Sequence, residues 1–76
     1  MEKIIMQMAQ ALVDNPDEVS LNVLEGNQAT VFELSVAKQD LGKIIGKQGR
    51  TAKAIRTILT AIAAKADKRA VLEIVE

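Results

Sequence analysis

Apolar residues in the first part of the chain recur every three or four positions, as on one face of a helix. They are Ile4, Ile5, Met8 and Leu12. A turn-forming run, Asp-Asn-Pro-Asp at residues 14–17, follows and contains a proline that stops a helix. The pattern therefore predicts a first helix near residues 2–14.

The next two segments alternate apolar and polar residues, which is typical of strands with one buried face. The residues of the buried parity are Val19, Leu21 and Val23 in the first segment and Thr30, Phe32, Leu34 and Val36 in the second. Gly26 and Asn27 lie between the segments, and both tolerate the positive φ of a tight turn. We expect two strands joined as a hairpin.

The second half of the chain returns to helical spacing and ends on a strand. Leu41, Ile44 and Ile45 mark a short helix that Gly46 ends. A longer helix is predicted over residues 50–66, and its apolar stripe consists of Ile55, Ile58, Leu59, Ile62 and Ala66. The β-branched run at residues 71–75 predicts a third strand.

The predicted order is helix, strand, strand, helix, helix, strand. Three strands bury one face only if all three helices cover it, so we expect an α+β domain of two layers. The chain has 76 residues and neither cysteine nor histidine, so apolar packing must hold a single domain, residues 1–76, without disulfides or an ordinary zinc site.

The composition also narrows the function. Without His or Cys, acid-base and thiol chemistry would fall to carboxylates or lysines in a small interior, so we expect no enzyme, no metal and no cofactor. The first residues lack the features of a secretory signal, which predicts a cytoplasmic protein. Lys3 is the one basic residue of the first helix, which argues against a role at a membrane surface.

The net charge of zero conceals a strong segregation of charge. Residues 1–37 carry one lysine against six carboxylates, a net −5, whereas residues 38–69 carry nine cations against two carboxylates, a net +7. The last seven residues carry −2. A positive block of this kind attracts polyanions, although on charge alone the solvated face of a helix explains it equally well.

The segment between the two later helices carries the most specific signal. Gly46 and Gly49 let another backbone approach closely, and the turn leads into a helix N-terminus that attracts anions. Lys43, Lys47 and Arg50 surround this point with positive charge. The spacing fits neither a nucleotide-binding P-loop nor a dinucleotide fingerprint. A Gly-x-x-Gly clamp for a single nucleic-acid strand remains.

Residues 45–49, Ile-Gly-Lys-Gln-Gly, resemble the core motif of KH domains, and the order of elements is similar to their type II, bacterial arrangement. The resemblance implies a type II KH fold (α-β-β-α-α-β) and a non-catalytic protein that binds single-stranded RNA. Ala52 stands where many KH domains have a large aliphatic residue, which predicts a shallower base-binding groove. The predicted RNA-binding residues are Lys43, Ile44, Ile45, Gly46, Lys47, Gln48, Gly49, Arg50 and Lys53.

The resemblance also implies partners. Small bacterial members of the family self-associate, pair with a larger RNA-binding protein that carries its own KH domain, and act as RNA chaperones or regulators linked to cell elongation and division. A smooth face of the long helix predicts a homodimer interface, formed by Ala54, Thr57, Ile58 and Ala61. The alternative is that the alanines only raise the helix propensity of an exposed surface.

An adaptor for protein association, with weak or incidental RNA binding, is the alternative function.

Other RNA-binding folds are less compatible with the composition. Phe32 is the one aromatic residue and is expected in the core, whereas RRM and OB folds stack bases on several exposed rings.

Overall fold

The computed structural model describes residues 1–75, and the predicted order of elements is confirmed. Short 3₁₀ turns at Pro16–Glu18, Lys38–Asp40 and Lys47–Gly49 connect the regular elements. The helices and strands are α1 (Glu2–Leu12), β1 (Ser20–Glu25), β2 (Ala29–Ser35), α2 (Leu41–Ile45), α3 (Arg50–Lys65) and β3 (Arg69–Val75).

The three strands form one mixed sheet in the order β1-β2-β3. The strands β1 and β2 form the predicted antiparallel hairpin, with Val23 opposite Phe32. The strand β3 pairs with β2 in parallel, so that Leu72 lies beside Phe32. A parallel pair needs a long crossover, which α2 and α3 provide.

One hydrophobic core joins the inner face of the sheet to all three helices, as the two-layer α+β prediction requires. Phe32 is 2% exposed and lies in this core, as predicted. Each element except α2 contributes at least two buried or half-buried apolar side chains, and α2 contributes the fully buried Ile44. The buried members are Ile5, Ala9, Val19, Phe32, Leu34, Ile44, Ile55, Leu59 and Leu72.

Two local predictions were wrong. The first helix ends at Leu12 rather than near residue 14, because Val13 is extended and the backbone N–H groups of Asp14 and Asn15 donate to Asp40 instead of continuing the helix. The hairpin does not use positive φ at Gly26, because its loop spans residues 26–28 and is closed by a bond from Gly26 N to Ala29 O of 2.9 Å.

The buried face of α3 also differs from the predicted stripe. The structure buries Ala52, Ile55, Leu59 and Ala63, whereas Ile62 is only half-buried and Ala66 is exposed beyond the helix end. Ile58 is 44% exposed. At about 100° per residue, the true face is rotated by roughly 50° from the predicted one. The small side chains at 52 and 63 let α3 pack closely against the rest of the fold.

Within residues 1–75, no helix has the length and apolar character needed to cross a membrane.

Candidate nucleic-acid interface

The turn between α2 and α3 is a compact, hydrogen-bonded loop. Helix α2 ends at Ile45, and the Gly46 N–H donates to the Gly42 carbonyl at 2.8 Å. The Gly49 N–H then donates to the Gly46 carbonyl at 3.1 Å, and α3 begins at the next residue. The loop therefore presents its outer surface in a defined geometry at the start of the longest helix.

The two glycines of the turn are needed for different reasons. Gly46 has φ 78° and ψ 171°, a region that is essentially reserved for glycine. A Cβ at Gly46 would lie 2.6 Å from the Thr51 Cβ and 2.8 Å from the Thr51 N, so the fold itself requires a glycine. Gly49 has φ 74°, but a Cβ there would meet no atom within 4 Å. Its open side is free for a ligand.

Between the glycines, Gln48 adopts φ 58°, which is uncommon for a residue with a side chain. Its Oε1 accepts a hydrogen bond from Arg50 Nη2 at 3.1 Å. Lys47, Arg50 and Lys53 are exposed. Lys47 and Arg50 therefore lie close to Gly49 along the chain, and Lys53 follows one helical turn after Arg50. The Arg50 N–H donates to the Lys47 carbonyl, and the amide groups that follow it in the first turn of α3 have no partner within that helix.

Lys43 occupies a different environment from the other predicted cations. Its Nζ donates to an Asp14 carboxylate oxygen and lies 3.9 Å from Asp40 Oδ1. The hydrogen bond that Lys43 donates to the Asp14 carboxylate raises the pKa of Lys43, and the negative charges of Asp14 and Asp40 add to the effect, so that together they outweigh the lowering by burial. To contact a phosphate, Lys43 would have to exchange these carboxylates.

The apolar residues of α2 divide into core and surface. Ile44 is 0% exposed, so its side chain packs in the core and does not reach the surface. Ile45 and Leu41 are half-buried and reach the surface. Beside α2 lies a hollow of about 470 Å³, lined by Val36, Lys38, Leu41 and Val75. Ala52 is 3% exposed and belongs to the core face of α3.

The sequence reasoning did not single out Arg56, an exposed residue of α3 that contacts β3. Its Nε lies 3.4 Å from the carbonyl oxygen of Leu72 on the edge strand β3. A mostly apolar hollow of about 390 Å³ runs between α3 and β3 here, with Lys68 and Arg69 also in its wall. The only sequence signal was membership of the positive block, because the neighbourhood of α3 and β3 depends on long-range packing.

Asp40 is the one charged side chain that is buried among residues 1–75, at 0% exposure. It accepts hydrogen bonds from the Asp14 N–H at 3.2 Å, the Asn15 N–H at 3.0 Å and the Asn15 Nδ2 at 2.9 Å. Burial raises the pKa of Asp40. The hydrogen bonds from Asn15 and Asp14, together with the Lys43 charge, lower it by more than burial raises it, so the net shift of the pKa is downward.

The predicted dimer residues lie together on the outer face of α3. Ala54, Thr57, Ile58 and Ala61 are all exposed. The Thr57 hydroxyl donates to the Lys53 carbonyl at 2.9 Å, so its donor hydrogen is already used within the helix. The face therefore presents methyl groups and a half-exposed isoleucine, without an unsatisfied donor.

A parallel β2–β3 pair, an antiparallel β1–β2 hairpin and a Gly-x-x-Gly turn between two core helices define a KH domain of type II. The comparisons with known proteins agree. The family model described as KhpA/KhpB, KH domain, matches residues 2–74. The chain therefore belongs to the KhpA/KhpB family of KH domains.

Several bacterial relatives bear the name "RNA-binding protein KhpA". The one from Aquifex aeolicus is 53% identical over 76 residues, which is 100% of this chain and 96% of that protein. The one from Caldanaerobacter subterraneus is 51% identical over 75 residues, 99% of this chain and 100% of that protein. The Listeria monocytogenes relative is 46% identical over the full length of both. No solved structure gives a significant match.

Proposed function

We propose that this chain is a non-catalytic protein that binds single-stranded RNA at the turn Gly46–Gly49. The observation that carries the proposal is the open side of Gly49, where a Cβ would meet no atom within 4 Å other than those of its two chain neighbours. The exposed cations Lys47 and Arg50 lie next to Gly49 along the chain, and a helix begins at Arg50. The names of the bacterial relatives support RNA as the ligand.

In the proposed complex, the turn holds the RNA backbone. The phosphates approach the Gly49 side and the amide groups of the first turn of α3 that follow Arg50, whose own N–H donates to the Lys47 carbonyl; the helix dipole favours an anion there. Lys47, Arg50 and Lys53 supply charge directly. Lys43 contributes to the extent that its Nζ exchanges Asp14 for a phosphate.

The bases face the surface on either side of the turn. Ile45 offers an apolar contact there, and the hollow beside Leu41 and Val75 accommodates a flat ring. Arg56, whose Nε donates to the Leu72 carbonyl of β3, offers its Nη groups as further donors. A turn that grips an extended strand cannot read bases inside a duplex, so single-stranded RNA is the expected form.

The test is the double variant Lys47→Asp/Gln48→Asp. It places negative charge where the phosphates should lie, and aspartate tolerates the left-handed conformation of residue 48 better than glutamine. Each lost charge-assisted bond is worth roughly 1.5–3 kcal/mol, so RNA affinity should fall by more than about tenfold. The measurement is a titration of a short labelled single-stranded RNA, with circular dichroism to confirm the fold.

The matched control is Lys3→Asp/Gln7→Asp. This pair changes the net charge by the same amount on the exposed surface of α1, away from the turn. It should retain most of the RNA affinity. Equal losses in both double variants would mean that RNA binds by overall charge, and unchanged binding by the Lys47/Gln48 variant would reject the site.

We propose in addition that the chain forms a homodimer through the outer face of α3. Small side chains at Ala54 and Ala61 let two helices approach, and Ile58, 44% exposed, supplies an apolar anchor. A two-fold dimer would double the number of RNA clamps and so strengthen a weak single site.

Ala61→Glu should weaken this dimer, because it would place a carboxylate between two close helices. Ala11→Glu, at an exposed position of α1, makes the same change outside the proposed interface. Sedimentation equilibrium should therefore show a dimer for wild type and Ala11→Glu, and a shift to monomer for Ala61→Glu. A wild-type mass of one chain at all concentrations would exclude the dimer.

The same smooth face supports the second candidate function, a protein-association adaptor. In that role the chain pairs in the cytoplasm with a larger RNA-binding protein that has its own KH domain and acts in cell elongation and division. Crosslinking of RNA in cells separates the two functions. RNA crosslinked to residues 46–50 would support the clamp, whereas recovery of protein partners without crosslinked RNA would support the adaptor.

A further inference from the structure

The buried carboxylate of Asp40 joins two parts of the chain that are 25 residues apart. Its Oδ2 accepts from both the backbone and the side-chain nitrogen of Asn15, and its Oδ1 accepts from the Asp14 N–H. Within residues 1–75, no buried side-chain nitrogen or oxygen lacks a hydrogen-bond partner. The carboxylate is therefore fully paired and fixed in direction.

Asp40 lies immediately before α2, the helix that delivers the chain into the turn. Helix α2 has only five residues, Leu41–Ile45, and a helix this short is not stable on its own. Its position depends on tertiary contacts. Ile44 packs one side of α2 into the core, and the Asp40 hydrogen bonds hold its N-terminal end against the turn after α1.

We propose that Asp40 is a positioning residue of the RNA clamp: by tying the start of α2 to Asp14 and Asn15, it fixes where α2 places Gly46. The inference rests on the proposed RNA-binding function. A buried charged group is a poor source of stability compared with an aliphatic side chain of similar size, because its desolvation opposes folding. A directional role accounts for a carboxylate better than a packing role does.

The same network restrains Lys43, one helical turn after Asp40. Lys43 bonds to Asp14 on the surface and lies near Asp40 beneath it, so that α2 is held at two points one helical turn apart. A shift of α2 would move the Gly42 carbonyl, which accepts the Gly46 N–H. The Asp40 network therefore connects to the clamp through backbone hydrogen bonds.

The test compares Asp40→Asn with Asn15→Ala and with the core variant Phe32→Leu. Asparagine keeps the shape of Asp40 but turns an N–H₂ group toward N–H donors, and Asn15→Ala removes one side-chain donor while leaving the carboxylate. Phe32→Leu lowers stability from the sheet core without touching the network. All are measured well below their melting temperatures.

Asp40→Asn should weaken the binding of a short labelled single-stranded RNA by about tenfold, whereas Phe32→Leu should bind like wild type. Asn15→Ala should weaken binding in the same direction, and the double variant Asp40→Asn/Asn15→Ala should lose less than the two single effects combined, because one network is involved. If Asp40→Asn does not fold, Asn15→Ala alone carries the comparison.

A second measurement needs no RNA. Amide hydrogen exchange of Gly46 and Gly49 should be faster in Asp40→Asn than in wild type, and unchanged in Phe32→Leu at equal distance from its melting temperature. Equal exchange and equal RNA affinity in Asp40→Asn and Phe32→Leu would overturn the proposal. If wild type binds no RNA, the proposed function fails, and the exchange of the two glycine amides still decides the positioning role.

Discussion

The two glycines of the clamp should respond oppositely to the same substitution. Replacing Gly46 by alanine should damage the fold, and replacing Gly49 by alanine should damage RNA binding while leaving the fold nearly intact. The distinction comes from the structure, because the sequence presents the two residues as equivalent ends of one motif.

The magnitude for Gly46→Ala has two parts. An L-residue at φ 78°, ψ 171° is strained by about 1–3 kcal/mol. The new Cβ would also lie 2.6 Å from the Thr51 Cβ and 2.8 Å from a backbone nitrogen, and forced overpacking costs about 1–3 kcal/mol. Together these are about 2–6 kcal/mol, against a total stability of roughly 4–11 kcal/mol for 76 residues.

For Gly49→Ala only the backbone strain applies. Left-handed backbone costs an L-residue about 1–2 kcal/mol, and the smaller entropy of the unfolded alanine chain offsets part of it. The net loss is about 1 kcal/mol. The added methyl group points into the open space that the RNA backbone would fill, so we expect about a tenfold loss of RNA affinity, or 1.4 kcal/mol.

The assay is thermal unfolding together with RNA titration, with Gly42→Ala as the matched control for stability. Gly42 lies inside α2 with no atom within 4 Å of an added Cβ, so alanine should stabilise the helix by about 0.5–1 kcal/mol. At roughly 4–8 °C per kcal/mol, Gly42→Ala should melt above wild type, Gly49→Ala about 4–8 °C below and Gly46→Ala at least about 8 °C below.

Two results would refute this reasoning. Equal losses of melting temperature for Gly46→Ala and Gly49→Ala would mean that the Thr51 contact does not constrain the turn. Wild-type RNA affinity for a folded Gly49→Ala would mean that the open side of residue 49 does not face the RNA.

Two further predictions concern stability. Asp67 has φ 57° just beyond the end of α3, and the Lys68 N–H donates to the Ala63 carbonyl at 2.9 Å, as in helices that end on a glycine. Asp67→Gly should therefore stabilise the fold by roughly 1 kcal/mol and raise the melting temperature by about 4–8 °C. An unchanged or lower melting temperature would contradict this prediction. The pKa of Asp40 lies below its ordinary value, so its contribution is present above about pH 3.9 and is lost as the pH falls through the lower folded value. The melting temperatures of wild type and Asp40→Asn should therefore differ at neutral pH and converge in strong acid, and a constant difference would contradict it.

Much of the fold was predictable because its signals are local. The alternation around Leu21 and Phe32 indicates strands whatever lies elsewhere in the chain, and Gly46 ends a helix by its own conformational preference. The order of elements and the position of the Gly-x-x-Gly turn follow from such signals. The parallel pairing of β3 with β2 is not local, and the sequence pattern contains no residue that selects it.

The positions that were not predictable are those where packing at a distance decides. Ala52 and Ala63 are buried and Ile58 is exposed, although side-chain hydrophobicity alone favours the reverse. Their burial depends on how closely α3 approaches its neighbours, which periodicity does not encode. Asp40 is a stronger case. An aspartate before a short helix is expected to be an exposed helix cap, and only the fold shows that it is buried against the N–H donors of Asn15, 25 positions away in the sequence.

Helix α3 has a different task on each of its faces, and this follows from the size of the domain. Within residues 1–75 the only other helix of more than five residues is α1, with 11 residues. The core, the clamp and any partner must therefore share α3. Ile55 faces the core, Arg56 faces the edge of β3, and Ile58 faces outward. Lys53 and Arg50 stand between the clamp and the outer face, in a shallow hollow that they share with Ile58. Substitutions at these two cations should therefore affect RNA binding and self-association together, whereas substitutions at the turn should affect RNA binding alone.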